Sequence, residues 1–357
     1  MITQLEIKNF KGFSEYKIDD IGQVNLLVGT NNCGKTSVLE AIYLLKSRDT
    51  SVLYSFIPEK DEFIQNEERM HRDVEGDLCQ LFHGFNLTPK LDLAIVAADQ
   101  SIEGLSFFIN ETEKVKSSFL KFTPYSAGQY QLDVEWLWDQ NRYCRGKCPI
   151  SREGGLIYNY MRKSFDSKSK MVACDINIKL VPSLSLNKEE IIFLLDKILL
   201  TSDEDLMLEA VRIVEQDIVR VASVGKGGII VKSRKWEKRI PVDSFGDGIR
   251  RLLGIVLSLI GAKNGTLLID EIDTGLHHTV MSKMWKLVCA TAKKLNVQVF
   301  ATTHSRDCWE TLADNAIEDE FADMSIRIHR IDKDMKQAET FTNKEINLAF
   351  NRELEVR

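Results

Sequence analysis

The chain has 357 residues, 44% of them apolar and 28% charged, with a formal net charge of −6. That length and apolar content allow one large or two modest domains with a full core. The acidic balance argues against a highly basic protein that coats DNA, but it leaves room for a local basic groove. Seven Cys are scattered along the chain, and Met1 leads straight into strand-like sequence without a charged and apolar leader. Reduced thiols in a cytoplasm are therefore expected. The longest apolar run, Leu252 to Ala262, contains Gly254, Ser258 and Gly261 and is too short to span a bilayer, so no membrane association is expected.

In chain order, Leu5 and Ile7 alternate with polar residues and Phe10 follows, which predicts a strand. Gly22 punctuates, and Val24 to Val28 reads as a short buried strand. Val38, Leu39, Ile42 and Leu45 fall at helical spacing, so Thr36 to Leu45 reads as a helix. From about Arg48 to Ala222 the periodicity weakens. Leu93–Ala98 and Leu105–Glu111 read as two strands, Gln129–Trp138 as another, and Val172–Leu180 alternates. Asn187–Leu200 and Asp203–Gln216 read as helices, and Gly227-Gly228 opens a strand running through Val231. This stretch is expected to finish the first sheet and to add a helical or mixed insertion.

After Ser244 strand and helix alternate. An apolar helix (Ile249 to Ile260) precedes a strand (Thr266 to Ile269). A helix from about His277 to Lys294, a strand from Val297 to Ala301, a short helix after Ser305 and a strand from Ser325 to Ile331 follow. That alternation predicts an α/β fold with parallel strands. The sequence shows no internal repeats, low-complexity tracts or Pro-rich linkers.

Gly29-Thr30-Asn31-Asn32-Cys33-Gly34-Lys35-Thr36 matches G-x-x-x-x-G-K-[ST] between a strand and a helix. The glycines let the backbone wrap a phosphate, and the loop N–H groups and helix N-terminus, through Ser37, attract its charge. Lys35 is placed to reach the β- and γ-phosphates of ATP, and the Thr36 hydroxyl to ligate Mg²⁺. The apolar strand Thr266–Ile269 ends in Asp270 and Glu271. Asp270 would hold Mg²⁺ through water, and Glu271 would act as general base on the attacking water. His304 ends the next strand, in Ala301-Thr302-Thr303-His304-Ser305, where a γ-phosphate sensor is expected. Ser244-Phe245-Gly246-Asp247-Gly248 precedes another helix and forms a second anion site, or an ordinary Ser/Asp cap. Since one chain already has its phosphate loop, a second such site suggests contact with the ATP of another copy, and hence an isologous dimer.

These elements in this order resemble the ABC ATPase superfamily in its SMC/RecF/OLD branch. Leu5-Glu6-Ile7-Lys8-Asn9-Phe10-Lys11-Gly12-Phe13 is similar to that branch's opening strand. Ser244–Arg251, Asp270–His277 and Val297–Ser305 look most like the OLD-like group. The resemblance covers roughly the first 45 and last 120 residues. It implies an ABC-type ATPase head with a mixed or parallel sheet, flanking helices and an inserted lobe over about 48–222. Residues 223–357 would then carry the signature, Walker B and His-switch elements. It also implies that Ser244 and Gly246 read the partner's γ-phosphate, that Asp273 sits across the dimer, and that His304 is a switch. A lid glutamine is expected between the Walker motifs, with Gln80 as the candidate. Only about 200 residues separate Thr36 from Ser244, without sustained heptads, unlike SMC proteins. RecF-like proteins carry a different signature and D-loop. About 50 residues follow His304, including Asp332 and Asp334, too few for the TOPRIM nuclease of full-length OLD proteins.

The expected reaction is ATP and water to ADP and phosphate, in a homodimer or a higher even-numbered oligomer. It either drives DNA processing, as in a RecF/SMC-like repair ATPase, or gates a partner on a slowly hydrolysing scaffold. The resemblance points to a separately encoded effector such as a TOPRIM-type nuclease, in DNA maintenance or antiphage defence, with DNA as a candidate partner. Two weaker patterns remain. Cys144-x₃-Cys148 with Cys174 lacks a His-rich companion for zinc. Lys226, Lys232, Arg234, Lys235, Lys238 and Arg239 around Trp236 read as a solvated strand face or as a phosphate track. His277 and His278 read as helix-surface residues.

Overall fold

A computed structural model describes residues 1–49, 52–57, 75–85, 92–98, 102–111, 130–138, 142–150, 155–157, 177–225, 228–316 and 321–352. Leu5 and Ile7 point to one side of the first strand, β1 (Gln4–Phe10), and Gln4 and Glu6 to the other, as period-two burial requires, while Asn9 at φ 54° breaks the alternation ahead of the buried Phe10. β1 turns at Lys11-Gly12 into β2 (Phe13–Ile18), its antiparallel partner. β3 (Val24–Val28) is buried on both faces and delivers the chain to helix α1 (Lys35–Ser47). A short α2 (Leu53–Phe56) follows.

β4 (Glu75–Asp77), β5 (Asp92–Ala98), β6 (Ile102–Glu111), β7 (Tyr130–Trp138), β8 (Arg142–Ile150) and β9 (Gly155–Ile157) then extend the first hairpin. The result is an antiparallel sheet in the order β2-β1-β5-β6-β7-β8-β9-β4. β10 (Ile178–Val181) leaves that sheet for the edge of a second one. Helices α3 (Lys188–Ile198) and α4 (Ser202–Val214) lead to β11 (Ile218–Ser223), β12 (Ile229–Ser233) and β13 (Ile240–Pro241), a small three-stranded sheet.

The chain ends with α5 (Asp247–Gly261), β14 (Thr266–Ile269), α6 (His278–Leu295), β15 (Gln298–Thr302), α7 (Arg306–Ala316), β16 (Ile326–Arg330), β17 (Glu339–Thr342) and α8 (Asn343–Asn351). The central sheet has the order β10-β14-β15-β3-β16-β17. Its first five strands are mutually parallel and β17 is antiparallel. The expected α/β fold with a mixed, largely parallel sheet and flanking helices is therefore what the chain forms.

Two cores explain the layering. Leu27, Leu268 and Phe300 face α1 and, beyond it, the antiparallel sheet. Val24, Leu26, Val28, Leu267, Ile269, Val299 and Ala301 face α5, α6 and α7. A parallel sheet covered on both sides needs such uninterrupted apolar strands. α1 is thus sandwiched between the sheets, and Trp136 of β7 fixes it by donating from Nε1 to Leu44 O at 3.1 Å.

The residues between about 48 and 222 go to three places. β4–β9 belong to the antiparallel sheet, β10 to the edge of the central sheet, and α3, α4 and β11 to the helical core beyond it. The strand expected over Val172–Leu180 is described only from residue 177 and runs from Ile178 to Val181. The strand expected to start at Gly227 starts at Ile229. Cys174, Lys226 and Gln129 lie outside the described residues, as do the side chains of Cys144 and Cys148. No described helix is long and apolar enough to cross a membrane.

Candidate nucleotide site

The loop between β3 and α1 is shaped by backbone that few residues tolerate. Gly29 stands at φ 142°, Asn32 at 60° and Gly34 at 105°, in the left-handed half of conformational space that glycine enters freely. A Cβ on Gly29 would fall 2.5 Å from Ile331 O, and one on Gly34 would fall 2.3 Å from the Phe13 ring. Thr30, Asn31, Asn32 and Thr36 are exposed, Gly34 and Ser37 half-buried, and Cys33 buried, where it fills space against Gly29. α1 begins on Gly34 without a side-chain cap, so the N–H groups of its first turn remain open to an acceptor. By contrast α3, α4 and α6 begin on the side-chain caps Asn187, Thr201 and His277. Capping is thus the observed role of His277 in this structure.

Lys35 is buried and folds back over the loop. Its Nζ donates to Gly29 O at 2.9 Å and Thr30 O at 2.8 Å, and lies 3.3 Å from His304 Nδ1. Burial lowers its pKa, while Cys33, Asp270 and Glu271 oppose that shift. The Thr36 hydroxyl donates to Asp270 Oδ1 at 3.2 Å. The other end of the cluster is closed by His304 Nε2, 3.7 Å from Glu271 Oε1. Lys35, Thr36, Asp270, Glu271 and His304, spread over 270 positions of sequence, therefore share one crevice. It lies at the carboxyl ends of β3, β14 and β15, where open parallel sheets place their ligands.

Thr302 ties the acidic pair together. Its hydroxyl donates to Asp270 Oδ1 at 2.7 Å and accepts from Glu271 N at 2.7 Å. Glu271 itself sits at φ 47°, a conformation costing a non-glycine residue about 1–2 kcal/mol. The next hydroxyl along, Thr303 Oγ1, donates to Asp273 Oδ1 at 2.7 Å, so Asp273 is held beside the strand that carries His304. Thr36 and Asp270 offer two hard oxygen donors 3.2 Å apart, the donor chemistry that suits Mg²⁺.

The second predicted anion site is also uncapped. A 3₁₀ turn over Val242–Phe245 leads to Gly246 at φ 86°, and α5 starts there with no side-chain cap. Ser244, Gly246 and Asp247 are exposed, so the alternative of an ordinary Ser/Asp cap is not what forms. Among the described residues no hydrogen bond joins Ser244 or Gly246 to the phosphate loop of the same chain. α5 instead reaches the acidic pair through Arg251.

Gln80 lies in a 3₁₀ turn over Leu78–Leu81, exposed, and donates to Asp77 at 3.2 Å. This turn packs on the β1–β2 connection, where Lys11 N donates to Leu81 O. Lys11 carries a signal that sequence reading did not use. It pairs with Glu40 at 2.5 Å, one helical turn beyond Thr36. Burial raises the Glu40 pKa, Lys11 opposes this and Asp270 adds to it. Thr302 and Arg251 were likewise visible only as letters beside motifs, since what matters is their reach across strands.

A family model described as an AAA ATPase domain matches residues 1–193, more than half of the chain. The chain belongs to this AAA ATPase domain family. A second family model, an AAA domain described with the AbiEii toxin and a type IV TA system, matches residues 150–307 of this AAA ATPase. The ATP/GTP phosphatase of Helicobacter pylori is 25% identical over 346 residues, covering 90% of each chain. The DNA replication and repair protein RecF of Salinibacter ruber is 28% identical over 113 residues, which is 32% of this chain and 24% of that protein. Among solved structures, the SMC head domain from Thermotoga maritima aligns with 96% of this chain and 98% of its own, at 12% identity and a TM-score of 0.45.

Proposed function

We propose that the chain hydrolyses Mg·ATP at the crevice described above, between two copies of itself. The observation that carries this reading is the convergence of Lys35, Thr36, Asp270, Glu271 and His304 at the carboxyl ends of three adjacent parallel strands. Lys35 would exchange the carbonyl oxygens of Gly29 and Thr30 for the β- and γ-phosphates, an exchange favoured by charge. Thr36 and Asp270 would hold Mg²⁺, which when bound supplies positive charge against the triphosphate. Glu271 takes a proton from the attacking water as its oxygen bonds to the γ-phosphorus and the bond to the β–γ bridging oxygen breaks, leaving ADP and phosphate. His304, between Lys35 and Glu271, contacts the γ-phosphate. The exposed and uncapped start of α5, with Ser244 and Gly246, supports the partner's nucleotide, and Asp273 lies beside that interface.

The family membership supports the reaction class. The wider role is our reading of the OLD-like resemblance. In it, nucleotide-driven opening and closing of the dimer gates a separately encoded effector such as a TOPRIM-type nuclease, in DNA maintenance or antiphage defence. A second reading, a DNA-binding repair ATPase, is favoured by the β12–β13 hairpin. There Trp236 is 61% exposed among exposed Arg234, Lys238 and Arg239, with Lys235 paired to Asp217. An aromatic among cations is a common surface for nucleic acid.

Phosphate release from ATP and from GTP, with and without Mg²⁺, tests the reaction. Glu271→Gln is expected to lower kcat by about 10²–10³-fold with little change in KM, and Lys35→Ala to abolish nucleotide binding. Unchanged turnover in Glu271→Gln would overturn the assignment of the base. Adding DNA separates the two roles, since only the repair ATPase reading expects DNA to stimulate turnover directly.

A further inference from the structure

Arg251 lies in the second turn of α5, a helix whose other buried residues are apolar or small, and it is 2% exposed. Its Nη1 donates to Pro182 O at 2.6 Å and Ser185 Oγ at 3.0 Å. Its Nη2 donates to Asp270 O at 2.8 Å and Glu271 O at 3.0 Å. The Nε is buried without a hydrogen bond among the described residues, so the two Nη groups alone place the guanidinium. Burial lowers its pKa, and Asp270, Asp273 and Glu271 oppose that shift.

The two carbonyls under Nη2 belong to the peptides on either side of Glu271. The N–H groups of those same peptides are held from the opposite side by Thr302. Its hydroxyl accepts from Glu271 N at 2.7 Å, and its carbonyl accepts from Ile272 N at 3.0 Å. All four polar groups flanking Glu271 are therefore fixed by two residues. Glu271 needs such fixing, because at φ 47° it occupies backbone space that non-glycine residues keep only when their surroundings enforce it. The same Arg251 pins the end of β10 through Pro182 and Ser185, so the lock spans β10, β14 and the start of α5.

We propose that Arg251 is a positioning residue for hydrolysis, clamping the peptides that flank Glu271 and so aiming its carboxylate between His304 and Thr274. The proposal rests on Glu271 acting as the general base. The carboxylate's present neighbours show the aim: Thr274 Oγ1 donates to Oε2 at 3.1 Å, and His304 Nε2 lies 3.7 Å from Oε1. A planar guanidinium can serve two carbonyls on one side and two oxygens on the other, which neither lysine nor an apolar residue can do. Arg251 is also seven positions beyond Ser244, so it joins the exposed start of α5 to the base by a single side chain.

The test compares Arg251→Gln, Arg251→Lys, Glu271→Gln and the double variant Arg251→Gln/Glu271→Gln. Steady-state phosphate release gives kcat, and equilibrium binding of a fluorescent ATP analogue gives Kd. Arg251→Gln is expected to lower kcat by about 10–100-fold with Kd within about threefold, as misplacement of a reacting group does, and Arg251→Lys to fall between it and wild type. The double variant is expected to be no more than about twofold slower than Glu271→Gln alone, since the two act as a unit. Multiplicative losses in the double variant, or wild-type kcat in Arg251→Gln while Glu271→Gln is slow, would overturn the role of Arg251. Wild-type kcat in Glu271→Gln would instead sink the general-base reading itself. Should Arg251→Gln not fold, Ser185→Ala and Arg251→Lys carry the test. Lower kcat at unchanged Kd supports the clamp, whereas parallel losses of kcat, affinity and melting temperature show a structural role only.

Discussion

Gly34, which packs against the Phe13 ring, and Gly12, which precedes Phe13 in the chain, are expected to respond differently to a methyl group. At Gly34 the backbone is left-handed and the Phe13 ring stands 2.3 Å from where a Cβ would be; around Gly12 nothing lies within 4 Å. Gly34→Ala is therefore expected to destabilise the fold by roughly 2–5 kcal/mol, the sum of a left-handed penalty and overpacking. Gly12→Ala should stay within about 0.5 kcal/mol. Denaturant midpoints of the two variants check this, and equal midpoints would contradict the packing of Phe13 under the loop. The contacts at this scale were partly legible in the sequence. The phosphate loop and the Asp270-Glu271 pair are short, local patterns in which spacing and chemistry coincide. Thr302, Thr303, Arg251 and the Lys11–Glu40 pair act across strands, and adjacency between β14 and β15 is not written in either segment alone.

The elements were most legible where apolar runs end in turn residues. The helix and strand alternation after Ser244 follows the structure closely, because β14 and β15, like β3, are buried along their whole length and read as short, largely apolar runs. Strands β2, β4, β8, β9, β11, β13 and β17 were not read. β13 has only two residues, β17 is half exposed, and Arg142–Ile150 carries polar residues and glycine without alternation. One consequence of the central sheet's packing concerns pH. His329 of β16 is fully buried between Asn25 and Thr340, with Nε2 3.2 Å from Asn25 Oδ1 and Nδ1 2.9 Å from Thr340 Oγ1. Burial pushes its pKa down to about 3, with nearby Arg327 adding to the shift and Asp20 opposing it. An unfolded chain takes up a proton there near pH 6.5, which the folded chain refuses. His329 thus leaves stability intact above about pH 6.5 and subtracts from it as the pH falls toward 3. Melting temperatures from pH 7.5 to 5 are expected to fall less steeply for His329→Gln than for wild type, even if the variant starts lower. Parallel slopes would contradict a neutral buried imidazole.

Across the whole molecule, each chain presents two unlike helix starts without a side-chain cap, the Gly29–Thr36 loop with the acidic pair behind it, and the exposed start of α5 at Ser244 and Gly246, both of which the proposed function assigns to phosphate. Among the described residues no hydrogen bond joins them within one chain, while Arg251 ties the second to Asp270 and Glu271 behind the first. In the dimer proposed above, a two-fold partner would complete this arrangement, with each copy's α5 facing the other's loop. Length, composition and net charge bounded the class of protein but could not show this division, which arises from how β14, β15 and β3 stack side by side. The most direct measurement is the molar mass in solution, by light scattering, of Glu271→Gln with Mg·ATP and without nucleotide. The account predicts a doubling of mass on adding Mg·ATP, lost when Ser244→Arg is introduced as well. A protein that binds ATP with no change from a monomeric mass would contradict the shared site.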